Sequence, residues 1–330
     1  MIKVGLLGAG RIAGVHATAI TSNPASCLAA VSDFIPEQAA KLAEQYGSVV
    51  RTTEDIIADD SIDAVLIATS TDTHSDLIEA ATAAGKAVLC EKPVDLSLER
   101  ARACQANAAI SGKPVMIGFN RRFDPNFAAL KRALDAGEVG KAEMLAITSY
   151  DPAPPPIAYI KVSGGIFRDM MIHDFDMANF IMGDAPVHVS AVGSCLVNPA
   201  IGDAGDYDTA AVTLTYADGR IATIRNTRRA GYGDQRVELQ GSEGMLQVGN
   251  LTENLLVKST TQGVSSAKPV LFFLERYMPA YAAEWNAFVS AIQAGGEMPV
   301  TLADGVAALA MAEAATRSAK LGLPVSLADV

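Results

Sequence analysis

Asp169 and His173 lie four residues apart in the stretch SGGIFRDMMIHDFDMANFIMG. That spacing places two side chains on one face of a helix. An acid one turn from an imidazole can fix the ring's tautomer and raise its basicity, which suits a general base that takes a proton from a hydroxyl. By itself such a pair is more often a helix-surface or helix-end contact. A second feature changes its meaning. Gly8-Ala9-Gly10-Arg11-Ile12-Ala13 matches G-x-G-x-x-G/A between an apolar run and an amphipathic one. Gly8 permits a tight turn, Gly10 lets backbone approach a pyrophosphate, and Ala13 allows close strand–helix packing. The helix start at Arg11 and Ile12 would meet the phosphates with its backbone amides. A base for an alcohol proton and a dinucleotide for its hydride are the two halves of a dehydrogenase.

Asp33 ends the next apolar run, roughly 20 residues beyond the glycine turn, where an acid bonds the adenine-ribose hydroxyls. Its charge would repel the extra phosphate of NADP, and no arginine follows at Phe34 or Ile35. NAD is therefore expected over NADP, with a turn or cap role for Asp33 as the alternative. Lys92, in AVLCEKP, falls at the carboxyl end of a strand, the edge at which doubly wound sheets bind ligands. A lysine there can position a substrate hydroxyl or share in proton transfer; a solvated strand-end lysine is the simpler reading. Asp174 and Asp176 flank His173, yet no second histidine or third ligand stands at suitable spacing, so no metal is expected.

These residues need elements to hold them. A chain of 330 residues, half of them hydrophobic, fits two domains. A net charge of −11 with no basic stripe argues against nucleic acid as a partner. No apolar run approaches the ~20 residues that span a bilayer, and the amino-terminal run lacks a secretory cleavage site. Cys27, Cys90, Cys104 and Cys195 show no CxxC spacing and read as reduced thiols of a cytoplasmic protein. IKVGLLG, CLAAVSD, DAVLIAT, KAVLCEKP and PVMIGF alternate with helical stretches, which predicts an α/β Rossmann domain over 1–119, a doubly wound parallel sheet.

Beyond Phe119 the rhythm changes. VHVSAVGSCLV, TAAVTLTYADG, RIATIRNTRRA, QRVELQG, GMLQVG and NLLVK alternate apolar and polar residues. They predict an α+β domain over 120–330 with a large, mostly antiparallel open sheet, for substrate binding and oligomerisation. The apolar character of TAAVTLTY and RIATIRN suggests burial beyond one chain, hence a homodimer or homotetramer through that sheet. Asp169 and His173 are expected on a single helix between the Pro-rich loop DPAPPP and this sheet.

GLLGAGRIAGVHA, Glu91-Lys92-Pro93, GFNRRFDP and the Asp169…His173 segment, in that order from end to end, resemble the glucose–fructose oxidoreductase/inositol dehydrogenase family. DPAPPPIAYIKVSGGIFRDMMIHDFDMANF, RRAGYGDQRVELQGSEGML and FFLERYMPAYAAEWNAFVSAI look closest to its inositol-oxidising members. The resemblance implies catalytic roles for Lys92, Asp169 and His173, and substrate contacts from these three with Asn120, Asp151 and Tyr232. It implies cofactor contacts from Gly8, Gly10, Arg11, Ile12, Asp33, Thr69, Ser70, His74, Glu91 and Lys92. Thr69-Ser70-Thr71-Asp72-Thr73-His74 stands where the family carries T-P-x-x-x-H; the proline is missing, and His74 is left between capping and supporting the nicotinamide pocket. The activity implied is NAD-dependent oxidation of a secondary hydroxyl of a cyclic polyol, foremost myo-inositol to its 2-keto product. Scyllo-inositol, glucose or another aldose is the enzymatic alternative, and a non-catalytic NAD-binding regulator the alternative of another class.

Overall fold

Six strands build the first sheet: β1 (Ile2–Leu7), β2 (Ser26–Ser32), β3 (Val49–Val50), β4 (Ala64–Ile67), β5 (Ala87–Glu91) and β6 (Val115–Gly118). They run in the order β3-β2-β1-β4-β5-β6, every pair parallel. All four residues of β4 are fully buried. Successive strand residues point to opposite faces, so both faces of the sheet are covered, as the continuous apolar run foretells. The strand order reverses between β1 and β4, and a crevice opens at the carboxyl ends of strands on either side of such a reversal. The sequence reading contains five of these strands. The sixth, β3, is a two-residue edge strand, too short to carry a periodic signal.

The computed structural model describes residues 1–330 and divides them into two units, 1–123 with 278–309, and 124–277 with 310–330. Where the sequence reading places one boundary, after Phe119, the chain returns late to its first unit. The reason is packing. Trp285, fully buried, donates its indole N–H to Ser26 Oγ at 2.9 Å, and Val300 O accepts the Ile117 amide at 3.3 Å.

The second unit holds a seven-stranded sheet from β7 (Ala142–Tyr150), β8 (His188–Ser194), β9 (Thr209–Thr215), β10 (Ile221–Thr227), β11 (Asp234–Gly241) and β12 (Met245–Val248), closed by a strand near the carboxyl terminus. A separate hairpin pairs β13 (Val257–Thr260) with β14 (Gly263–Ser266), and β15 (Val325–Ser326) completes the large sheet in the order β12-β11-β7-β10-β9-β8-β15. All its pairs are antiparallel except β7 with β10. The run NLLVK, expected in this sheet, instead leads into the hairpin with Leu255 and Leu256 largely exposed. Register puts Tyr150 beside both Thr227 and Asp234, and Thr227 beside Thr209. The loops after β7 and β10 and those before β9 and β11 therefore leave from one edge. No helix is long and apolar enough to cross a membrane.

Candidate active site

The glycine turn follows β1 and opens the helix Arg11–Ser22, with Gly10 as its N-cap. Gly8 has φ +97°, and a Cβ there would stand 2.4 Å from Ala68 O, so only glycine fits. A Cβ at Gly10 would meet nothing within 4 Å, which leaves that backbone open to a phosphate. Gly10 gives the helix no side-chain cap, and a helix start carries a partial positive charge. Asp33 accepts the Ala9 amide on Oδ2 at 2.6 Å and the Ile35 amide on Oδ1 at 2.7 Å. The turn role foreseen for Asp33 is thus real, and each carboxylate oxygen keeps a second lone pair for a ribose hydroxyl. Open backbone at Gly10, a helix start with no side-chain cap and an acid at the end of β2 fit a dinucleotide.

Glu91-Lys92-Pro93 leaves the same edge of the sheet, at the end of β5. It is held on both sides of the lysine. His16, in the helix after the glycine turn, donates from Nε2 to Glu91 Oε1 at 2.6 Å, and its ring stacks edge-on against Tyr281 at 5.3 Å. His74 Nδ1 contacts Pro93 O at 2.8 Å and Nε2 contacts Thr69 O at 3.3 Å. A neutral ring carries one proton, and the shorter contact assigns it to Nδ1. Ser75 Oγ donates to Val94 O at 3.2 Å. His74 thus supports the lysine turn through backbone carbonyls. Thr69 Oγ1 bonds Thr73 Oγ1 at 2.7 Å, and Ser70 caps the short turn Thr71–Thr73 in front of His74. Asn120 is buried in the turn after β6, whose Gly118 pairs with Glu91.

Burial holds the His74 imidazole below its usual range, outweighing the opposing pull of the Pro93 and Thr69 carbonyls. The unfolded chain takes up that proton near pH 6.5, the folded one only at lower pH. Below about pH 6.5 the unfolded state binds more protons, so His74's contribution to stability is complete above that value and lost as pH falls. Urea denaturation of the protein and of His74→Gln is expected to show a gap in midpoint at pH 7.5 that narrows at pH 5.5. A constant gap would contradict this account of His74.

In the second unit the expected single helix is broken. Asp169 ends the helix Gly165–Asp169, and His173 lies in the first turn of the helix Ile172–Met182. Ile166 O accepts both the Met170 amide, at 3.1 Å, and the Met171 amide, at 2.8 Å, which widens the chain at the junction. Asp169 Oδ1 accepts the Tyr159 O–H at 2.9 Å, and Oδ2 lies 3.7 Å from Arg228 Nη2. His173 is partly exposed, and the residue after it anchors its helix: Asp174, fully buried, accepts Ser149 Oγ at 2.6 Å and Asn226 Nδ2 at 2.8 Å. Asp151 follows β7 with its amide on Thr227 O at 2.9 Å, and Tyr232 lies in the loop before β11. Asp151, Tyr232 and Arg228 therefore share one sheet edge.

The candidates fall into two sets. The glycine turn, Asp33, Thr69, Ser70, His74, Glu91, Lys92 and Asn120 belong to the first unit, and Asp151, Asp169, His173 and Tyr232 to the second. Tyr159, Asp206 and Arg228 carry no local signal in the sequence, and His16, in the helix after the glycine turn, reads from sequence only as packing or as near the cofactor. Their partners stand 10 to 75 residues away, beyond any local spacing rule.

Residues 2–119 match the family model described as an oxidoreductase family with an NAD-binding Rossmann fold, and residues 127–247 match the GFO/IDH/MocA C-terminal domain. An inositol 2-dehydrogenase of Rhizobium meliloti (strain 1021) is 49% identical over 99% of each chain. A myo-inositol 2-dehydrogenase of Thermotoga maritima is 41% identical over 100% of this chain and 99% of its own. The solved scyllo-inositol dehydrogenase of Lactobacillus casei, with NAD(H) and scyllo-inositol bound, superposes with a TM-score of 0.92 at 29% identity, covering 99% of each chain. The chain therefore belongs to the glucose–fructose oxidoreductase/inositol dehydrogenase (GFO/IDH/MocA) family and is an NAD-dependent oxidoreductase.

Proposed function

We propose that this protein oxidises a secondary ring hydroxyl of a cyclic polyol, foremost myo-inositol, to the corresponding ketone. The observation that carries the reading is the Glu91-Lys92-Pro93 strand end, fixed by His16 and His74 on the edge that bears the glycine turn. Bound NAD supplies the acceptor for the hydride that leaves the carbinol carbon. The Lys92 ammonium donates a hydrogen bond to the reacting oxygen and stabilises the charge that develops there. His173 takes the hydroxyl proton, directly or through Lys92, while Asp169 keeps the imidazole in position as it becomes a cation. Asn120, Asp151 and Tyr232 hold the remaining hydroxyls, so that the carbinol carbon is presented in one orientation.

Mixing the protein with NAD⁺ and, in turn, myo-inositol, scyllo-inositol, glucose and related aldoses tests this reading. Growth of reduced-cofactor absorbance with an inositol is the expected result. Tight NAD binding without turnover across the panel would mark a non-catalytic NAD-binding regulator instead. Turnover with scyllo-inositol alone would move the substrate within the same class, to that of the scyllo-inositol dehydrogenase among its structural relatives.

We further infer a homodimer or homotetramer built on the large sheet. Register places Met144, Ile221, Val192 and Met245 on one face of it, and their exposures are 48, 40, 66 and 48%. A second copy covering this face would bury them. Sedimentation velocity is expected to give a multiple of the chain mass, shifted towards the single chain by Val192→Arg; a single-chain mass for the unaltered protein would contradict it. The cytoplasm, where the free thiols of Cys90 and Cys104 stay reduced, is the compartment this reading assigns.

A further inference from the structure

Arg228 is 1% exposed and among the largest fully buried side chains of the protein. A buried guanidinium needs acids around it, and its planar fork presents two nitrogens at a fixed separation. Nη1 donates to Asp206 Oδ2 at 3.0 Å. Nη2 makes no hydrogen bond, and the acid it faces is Asp169, 3.7 Å away. The other oxygen of Asp206 accepts the Ile166 amide at 2.8 Å, in the first turn of the helix that ends at Asp169. That approach is close: Gly165 has φ +84°, and a Cβ there would stand 2.7 Å from Asp206 Oδ1. Asp206 thus holds the start of this five-residue helix while Arg228, seated on Asp206, faces its last residue. Tyr159 meets the same carboxylate from the opposite oxygen.

We propose that Arg228, anchored by Asp206, is a positioning residue that sets where the Asp169 carboxylate stands for its work on the imidazole. The proposal rests on the reading of Asp169 and His173 as the acid–base pair. A carboxylate on the final residue of a short helix has free rotamers, and a fixed cation on one side with a phenol on the other restricts them to one. The interaction is ionic at its present distance and becomes a charge-assisted hydrogen bond with a shift of less than 1 Å, to about 2.9 Å.

A double-mutant cycle tests it, with kcat, KM and NAD affinity measured on the full-length protein with NAD⁺ and the best polyol of the panel. Arg228→Gln is expected to lower kcat about 10- to 100-fold with KM for the polyol and NAD affinity within about threefold, and Arg228→Lys to recover part of the loss. Residues acting as one unit are non-additive. The Asp169→Asn/Arg228→Gln double variant should therefore be no slower than Asp169→Asn alone, whereas a purely structural role would add its full cost. Should Arg228→Gln fail to fold, Asp206→Asn, which keeps the guanidinium but loosens its seat, enters the same cycle with the same expectation. Full additivity, or wild-type kcat for Arg228→Gln beside an impaired Asp169→Asn, would overturn the proposal alone. Wild-type kcat for Asp169→Asn would overturn the acid–base pair and the proposal with it.

Discussion

Lys92→Met is expected to lower polyol turnover by about 1000-fold or more while NAD affinity stays within about threefold of the unaltered protein. A 1000-fold loss corresponds to about 4 kcal/mol of transition-state stabilisation, the size associated with removing a preorganised donor from a developing oxyanion. The binding half of the expectation follows from the neighbours. Glu91 remains held by His16, Pro93 O by His74 and Val94 O by Ser75, so the strand end keeps its course without the ammonium. The glycine turn and Asp33 belong to other strand ends and are untouched. Lys92→Arg should not restore activity, because a planar fork replaces a compact point charge. Steady-state kinetics with a separate fluorescence titration of reduced cofactor measures both quantities. Near-normal kcat for Lys92→Met would remove the lysine from the mechanism.

His173→Ala should cost about 100- to 10 000-fold in kcat, the usual range for losing a general base. With the imidazole gone, solvent hydroxide takes over the proton, so the residual rate of the variant should climb steadily with pH. The structure predicts that the loss is chemical. The helix Ile172–Met182 is fastened by buried Asp174 to Ser149 of β7 and Asn226 of β10, contacts that the alanine leaves intact. A partly exposed imidazole contributes little packing, and the change in stability should stay within roughly 0.5–1 kcal/mol. Thermal unfolding beside a pH–rate profile separates the two causes. A large drop in midpoint with an unchanged profile shape would mean that His173 is a structural residue.

What the sequence discloses, and what it withholds, follows the range of each physical signal. The glycine turn, the alternation of apolar runs and helices, and the acid closing β2 are local patterns, and the first sheet forms as they predict. β3 escapes notice because Val49 and Val50 are both exposed and only two residues long. The break between Asp169 and His173 is hidden for a different reason. Met170 and Met171 are good helix formers, and both keep right-handed helical dihedrals, yet two amides compete for the one Ile166 carbonyl. The i,i+4 spacing therefore falls on two short helices and not on the one continuous helix that it predicts. The return of residues 278–309 to the first unit, and the Asp206–Arg228–Asp169 series, depend on partners remote in the chain. Trp285 meets Ser26 across 259 residues, and no periodicity in either segment announces it.

The central claim is that a carbon-bound hydrogen of a ring alcohol passes to NAD on this protein. Myo-inositol carrying deuterium on the reacting carbon tests it in one measurement, mass analysis of the reduced cofactor after turnover. One deuterium per reduced cofactor and none in the solvent is the expected result. Deuterium released to water, or an unlabelled and unreduced cofactor after prolonged incubation, would contradict it.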